Sequence, residues 1–403
     1  MDFVPFGDLY DIPSSNGLSR PSAVRGEGFK MINMGELFAN DIIDDIEMER
    51  VQMSEREQAK YFVRKGDLLF ARQSLVAEGA GKCSIVNNVD NETTFESHLI
   101  RVRLKKQYNP WFYYYLFQLK NNPIKAIVNQ CAQAGIRGSE LVKIKVPVIS
   151  KSAQDNIVGV LSQYDSLIRI NNQRIKFLEQ TAEEIYKEWF VRFRFPNYEK
   201  EKFEDGMPQN WEIVPLGNNR ISSIVPSGIN KFEGNKEFIA TANVRDTYMV
   251  EDGEEISYEN RPSRANMEPA TNTVWFAKMK ESRKLLLIDN YHSHLLNDII
   301  LSTGFTGLKI EEEWLYYYFC YLCSELFDTT KNMYANGSTQ EALNNDRINK
   351  IKILIPEEKV AQQFAKLVKP IFAEINCLRE ETRNLIKQRD YLLPRLMSGK
   401  LEA

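Results

Sequence analysis

The sequence predicts an α+β protein: two globular units of mixed helix and strand in tandem repeat, separated by two long helices that form an antiparallel coiled coil with pseudo-two-fold symmetry. Three observations predict it. First, Ile157, Leu161, Tyr164, Ile168, Ile175, Leu178, Ala182, Ile185 and Trp189 recur in alternating steps of four and three, with Asn171 filling the one gap. That spacing is the seam of a helix meant to lie against another. Second, the same steps return at an offset of 207 through Phe364, Val368, Ile371, Ile375, Leu378, Thr382, Leu385, Arg389, Leu392 and Leu396. Third, phrases of the first half recur in order in the second: GDLLFAR as NTVWFAK, NPWFYYYLFQL as EEWLYYYFCYL, LVKIKVPV as NKIKILIP. Self-similarity of this kind marks an internal duplication.

Taken in order, residues 1–150 form the first globular domain. Short strands are expected at 29–32 and 61–63, and another at 67–71 after a Lys-Gly turn. An alternating run follows at 98–104, then an aromatic helix at 111–119, a Gly-containing loop (AQAGIRGSEL) and a strand at 143–148. Residues 151–194 are the first long helix. Residues 195–210 (FPNYEKEKFEDGMPQN), polar and with two prolines, read as a linker. Residues 211–357 repeat the first domain, Val214, Pro215 and Gly217 echoing Val4, Pro5 and Gly7, and residues 358–403 carry the second long helix and the C-terminal tail.

A head-to-tail duplication can fold with its halves about a two-fold axis, which sets the helices antiparallel with position i facing 553 minus i. Asn171 then meets Thr382, Ile175 meets Leu378 and Tyr164 meets Arg389. A single polar layer near mid-seam fixes the register at some cost in stability.

Composition names no class. Five cysteines (Cys83, Cys131, Cys320, Cys323, Cys377), odd in number and irregularly spaced, suit a reducing cytoplasm better than a disulfide framework. The N-terminal stretch lacks the charge and apolar pattern of a signal peptide, and no run approaches a membrane span. The net charge of -3 argues, taken globally, against a polyanion partner. Yet between Arg64 and Lys145 bases exceed acids by roughly seven, the local basic face that phosphate binding requires. A solvated mixed-charge surface accounts for that excess equally well.

The order domain, helix, domain, helix, together with EEIYKEWFVRFRFP closing the first helix, GMPQNWEIVPLG opening the second half and YLLPRLMSGKL near the C-terminus, resembles the specificity subunit of type I restriction-modification systems. In the second half, VPSGINKFEGNKEFIATANV, NTVWFAKMKESRK, IILSTGFTGL and NGSTQEALN resemble phrases of that family's target recognition domains. The resemblance covers essentially the whole chain. It implies a cytoplasmic, non-catalytic reader of double-stranded DNA, each globular domain being a target recognition domain for one half of a bipartite site. The paired helices would space the halves and dock two methyltransferase subunits. With two restriction-translocation subunits added the complex would cut DNA; without them it would methylate adenine. The methyl donor and ATP would belong to those partners, so no cofactor, catalytic residue or metal is assigned to this chain. A helix of thirty-three residues, at 1.5 Å rise, makes a rod of about 50 Å, or roughly fifteen base pairs.

Base edges are read by Arg, Lys, Asn, Gln, Ser and Thr, and phosphates are met by Lys, Arg and backbone amides. In the first domain the candidates are Arg20, Arg25 and Lys30 near an early loop, Arg72 and Gln73 at the end of a strand, and Arg137 with Ser139 in a loop where Gly135 and Gly138 permit close approach. In the second they are Lys231 and Lys236, then Lys278, Lys280, Arg283 and Lys284, then Asn336, Ser338, Thr339 and Gln340. Each alone could be an exposed loop residue; their recurrence at matching places favours DNA. The aromatic runs 111–115 and 314–319 read as core rather than base-stacking platforms, and Cys320 with Cys323 reads as packing rather than half a zinc site. Leu167, Ile170 and Phe177 form a second apolar stripe, fitted either to a partner's helices or to one of the chain's own domains. The matching places of the second helix hold Glu374, Cys377 and Asn384, so the two helices do not offer equal faces.

A DNA-modifying enzyme is the competing class. Its amino-methyltransferase form needs Asp/Asn-Pro-Pro-aromatic, and the chain has no adjacent prolines. Gly79-Ala80-Gly81-Lys82-Cys83 departs from the nucleotide-binding pattern GxxxxGK[ST] at both ends, and Glu357-Glu358-Lys359 reads as a charged helix start. A free-standing two-domain DNA-binding regulator without methyltransferase partners is the remaining alternative.

Overall fold

The computed structural model describes residues 2–21, 25–74, 79–90, 92–130, 134–250, 252–335 and 341–401. The chain divides into two compact units: Met1–Arg169 with Thr382–Ala403, and Ile170–Glu381.

In the first unit a five-stranded sheet runs in the order Tyr10–Asn16, Leu99–Leu104, Leu68–Ala71, Cys83–Asn88, Ile42–Asp44. All neighbours are antiparallel except the last pair. Successive side chains of a strand point to opposite faces, and here both faces are covered. Leu68 and Phe70 enter one core with Ile85 and Val102, while Leu69 and Ala71 enter another with Val86 and Leu99. That explains the unbroken apolar run of GDLLFAR. The aromatic helix Pro110–Gln118 lies in the Phe70 core, started by Asn109, whose side chain accepts from the Trp111 N–H at 3.0 Å, and by Pro110 at the first helical position. Phe6, Phe70 and Phe117 meet edge to face, with centroids 5.1–6.3 Å apart.

The strand expected at 61–63 is a correction: Glu55–Tyr61 is a helix, ending at Phe62. Glu57 reaches back to the Ser54 N–H at 2.9 Å, a capping box in SERE that outweighs the apolar alternation of the following residues. The backbone hydrogen bond from Ser54, reinforced by the Arg20 guanidinium, holds the Glu57 carboxyl down at about 2.

The second unit holds two four-stranded sheets. One runs Ser222–Ile224, Phe305–Ile310, Thr273–Ala277, Leu285–Ile288; the other runs Glu254–Ser257, Asn235–Ile239, Ile299–Ser302, Ala265–Met267. Trp275 is fully buried against Gly307, where a Cβ would stand 2.6 Å from the indole ring, so this strand position accepts only glycine. The aromatic helix Leu315–Leu322 is buried throughout; Tyr316 donates to Asp289 Oδ2 at 2.7 Å and Tyr318 to Ser222 Oγ at 3.2 Å. Cys320 lies in this helix and Cys323 caps it, and burial pushes both thiols up, that of Cys323 to about 12.

Each unit has a two-stranded antiparallel ribbon ahead of a long helix: Asp2–Pro5 with Lys145–Val148, and Glu212–Pro215 with Lys352–Ile355. The stretch 195–210 is structured. A hairpin pairs Phe203–Glu204 with Met207–Pro208, turned by Asp205 and Gly206 in left-handed conformation (φ 49° and 80°), and Phe195 stacks on Trp211 at 5.2 Å. Asp-Gly between extended residues is a hairpin signal.

The long helices are Lys151–Tyr186, continued by a π-helical turn Lys187–Val191, and Glu358–Met397. Within each unit they pair antiparallel. In the first, Ile157 and Leu161 share a core with Leu393, Leu396 and Met397, Leu392 packs at its edge, and Arg389 meets Asp165 at 2.7 Å. In the second, Ile175 clusters with Ile375 and Leu378, bordered by Leu178 and Ile371, while Trp189 and Phe190 meet Phe364 at 5.7 and 4.8 Å beside buried Val368 and half-buried Ile185. The pairs Ile175 with Leu378 and Trp189 with Phe364 each sum to 553. Ile168 and Leu385 are half-buried. Two expected partners differ. Arg389 pairs with Asp165 rather than Tyr164, since a guanidinium beside a seam seeks a carboxylate. Buried Asn171 donates to Glu381 Oε2 at 3.1 Å, whereas the buried Thr382 hydroxyl has no hydrogen-bond partner among the described residues.

Candidate nucleic-acid interface

At the end of strand Leu68–Ala71 the first unit joins three distant segments. Arg72 donates its N–H to the His98 carbonyl at 2.8 Å and accepts at its own carbonyl from the Ile136 N–H at 2.8 Å. Gln73–Ser74 pairs with Ala134–Gly135, which pairs in turn with Asn129–Gln130. A Cβ on Gly135 would stand 3.1 Å from the Arg72 carbonyl oxygen, so the glycine admits the close approach. The Gln73 amide nitrogen lies 2.8 Å from His98 Nδ1. Arg72, Arg137 and Ser139 are exposed, Arg137 just ahead of the short helix Gly138–Leu141. His98, which no spacing in the sequence marks, is placed at the junction by its contact with Gln73.

The second unit repeats this junction. Lys278 donates to the Gly304 carbonyl at 2.9 Å and accepts from the Leu343 N–H at 3.0 Å, while Met279 bridges Ala342. The offsets from Arg72, His98 and Ile136 are 206, 206 and 207, so the two strand ends are built alike. Asn344, counterpart of Arg137, caps the helix Asn345–Ile348 by accepting the Arg347 N–H at 3.0 Å. Each junction thus places one cation at the same strand end. Neither Arg72 nor Lys278 takes part in an ion pair among the described residues. Burial of its stem pulls the Lys278 ammonium below its ordinary pKa.

Most other candidate cations have their charge balanced internally. Arg20 pairs with Glu57, Arg25 with Glu49 at 2.7 Å, and Lys30 with Asp45. Lys280 pairs with Glu341 at 2.6 Å, Arg283 lies 3.6 Å from Asp328, and Lys284 donates to the Thr241 carbonyl at 2.6 Å. Lys231 is exposed, and Lys236 sits over the Phe232 ring at 5.1 Å. Asn336, Ser338, Thr339 and Gln340 lie outside the described residues. Five candidate cations are thus held in ion pairs, while Arg137, Lys231 and Lys236, like Arg72 and Lys278, make none among the described residues.

Residues 1–180 match the family model described as the type I restriction modification DNA specificity domain. The chain is similar to the type I restriction enzyme MjaIX specificity subunit of Methanocaldococcus jannaschii, 27% identical over 72% of this chain and 68% of that one. It is also similar to the type I restriction enzyme HindI specificity subunit of Haemophilus influenzae, 23% identical over 85% and 88%. Among solved structures, the type I restriction-modification system S subunit from M. genitalium covers 98% of this chain and 95% of its own at 16% identity, with a TM-score of 0.57, a likeness of fold.

Proposed function

We propose that the chain is a specificity subunit of a type I restriction-modification system, like the proteins it is similar to, and that it reads a bipartite site in double-stranded DNA, one half with each unit. The repeated junction carries this reading: Arg72 and Lys278 stand at corresponding strand ends with their charge unpaired among the described residues, the arrangement expected of two like DNA contacts. Residues 1–150 and 211–357 would act as the two target recognition domains, 195–210 as the linker into the second of them, and 151–194 and 358–403 as the spacer. Arg137, Ser139, Gln73, Lys231 and Lys236 would join the two cations at the DNA, while Arg20, Arg25, Lys30, Lys280, Arg283 and Lys284 would shape the loops that face it.

The long helices would hold the half-sites apart and receive two methyltransferase subunits. Leu167 in the first unit, and Ile170, Phe177 and Leu367 in the second, are exposed apolar residues on these helices, 46–66% accessible, and suit a partner's helix. Adenine methylation, and cleavage once two restriction-translocation subunits join, would belong to those partners, in the cytoplasm. No helix among the described residues is long and apolar enough to cross a membrane. Sequencing of methylated adenines in cells carrying this chain with its methyltransferase partner tests the reading. A two-part motif with an unread gap is expected; a continuous motif would overturn it.

A further inference from the structure

We propose that Lys331 and Asn332 set the half-site specificity of the second unit by holding the loop that carries Lys278, Lys280, Arg283 and Lys284 in a single conformation, an inference that rests on the DNA-reading function above.

Both residues lie on the helix Glu325–Tyr334, which Ser324 caps by accepting the Phe327 N–H at 3.2 Å. Lys331 is 2% exposed. Its ammonium donates to the Ser282 carbonyl at the tip of the loop and lies 3.7 Å from Asp328. A lysine this deep is unusual, because burial disfavours its charge; the same burial draws its pKa down. An apolar side chain would fill the space at less cost, so the polar end is what the position uses.

The next helix residue acts on the preceding residue of the loop. Asn332 Oδ1 accepts the Glu281 N–H at 2.9 Å, and Glu281 is a non-glycine residue in the left-handed region, φ 57°. Such a conformation persists when its surroundings over-determine it, and it is found disproportionately at binding sites. Neighbouring helix residues thus grip two consecutive loop residues, one of them the strained one. The other strand of the loop's base is fixed by the Lys280 N–H to the Glu341 carbonyl at 2.9 Å and by the Leu343 N–H to the Lys278 carbonyl.

Preordering a loop removes the entropy of fixing it on binding. It also prevents the loop from shifting to accommodate a wrong base, which is how rigidity becomes specificity. Lys331 and Asn332 are positioning residues: they act on DNA through the loop, not by contact.

Selection of a random-sequence duplex library by the full chain, followed by sequencing, tests this. Lys331→Met and Asn332→Ala are expected to lower the enrichment of one of the two half-site words about tenfold, the scale of one good base contact, and to leave the other word unchanged. Asn332→Asp, which keeps the acceptor, should retain the wild-type pattern. Asn332 is only half-buried, so its alanine variant leaves the core intact, and thermal melting of each variant run in parallel verifies the fold. Folded Lys331→Met and Asn332→Ala proteins that enrich both words as the wild type does would overturn the proposal. A wild-type chain enriching no two-part word would instead bring down the DNA-reading function, and this inference with it.

Discussion

In the first unit Asp165 on the first long helix accepts from Arg389 of the second at 2.7 Å and from the Tyr115 hydroxyl at 2.6 Å. In the second unit the counterpart of Asp165, at offset 207, is Phe372, whose ring stacks on Tyr316 at 5.7 Å and 20°, and the counterpart of Arg389 is buried Ala182. Tyr316 is the counterpart of Tyr113, and its hydroxyl donates to Asp289 on the globular side; Tyr318, the counterpart of Tyr115, donates to Ser222 Oγ instead. One unit closes on its helices through a half-buried ion pair, the other through aromatic rings. The position therefore demands filled volume, and either chemistry supplies it.

The most severe way to break this comparison is Phe364→Ala. Phe364 is fully buried among Tyr186, Trp189 and Phe190, and its loss should cost about 3–5 kcal/mol in urea unfolding. A cost below about 1 kcal/mol would show that the rings are not what holds the second unit to its helices. Next is Arg389→Ala, which leaves Asp165, 9% exposed, without its cation and should cost about 1–3 kcal/mol. Adding Asp165→Phe and Tyr115→Phe to Arg389→Ala removes the ion pair together with the hydroxyl that Asp165 satisfies and should recover most of that loss, since apolar replacement of such a pair is often neutral. Failure of the triple variant to recover would mean the two closures are not interchangeable.

The smallest effect is acid sensitivity at Asp289. Burial opposes its charge, but hydrogen bonds from His292, Tyr316 and the Tyr291 N–H outweigh it and hold the carboxyl below its ordinary value. The unfolded chain then takes up this proton first as pH falls. The contribution is fully present above about pH 4 and is lost as pH drops through the folded pKa. Asp289→Asn should flatten that limb of the stability profile for the second unit. An unchanged acid limb would assign it to other carboxylates.

Much of the architecture was legible because it is periodic. A seam of alternating fours and threes shows itself in any register, and aromatic helices announce a core. What stayed hidden is non-local chemistry. Nothing near Arg20 in the chain points to Glu57, and nothing near Arg283 to Asp328, so basic clusters looked freer than they are. The bond from the Ile136 N–H to the Arg72 carbonyl spans 64 residues and creates the junction, yet neither segment alone reveals it. The helix at Glu55–Tyr61 was readable in principle from Ser54 and Glu57, and a short apolar alternation masked it. Asn171 reads as the polar break in the seam; its amide donates to Glu381, whose place beside the seam the apolar spacing does not reveal.

The division of the chain has a consequence for how it assembles during synthesis. The second unit is one continuous stretch, Ile170–Glu381, whereas the core of the first takes Leu393, Leu396 and Met397 from the far end of the chain. On a ribosome the first unit is begun earliest and completed last. Its core must wait across more than two hundred residues of chain closure, while the second unit can condense from nearer contacts as it emerges.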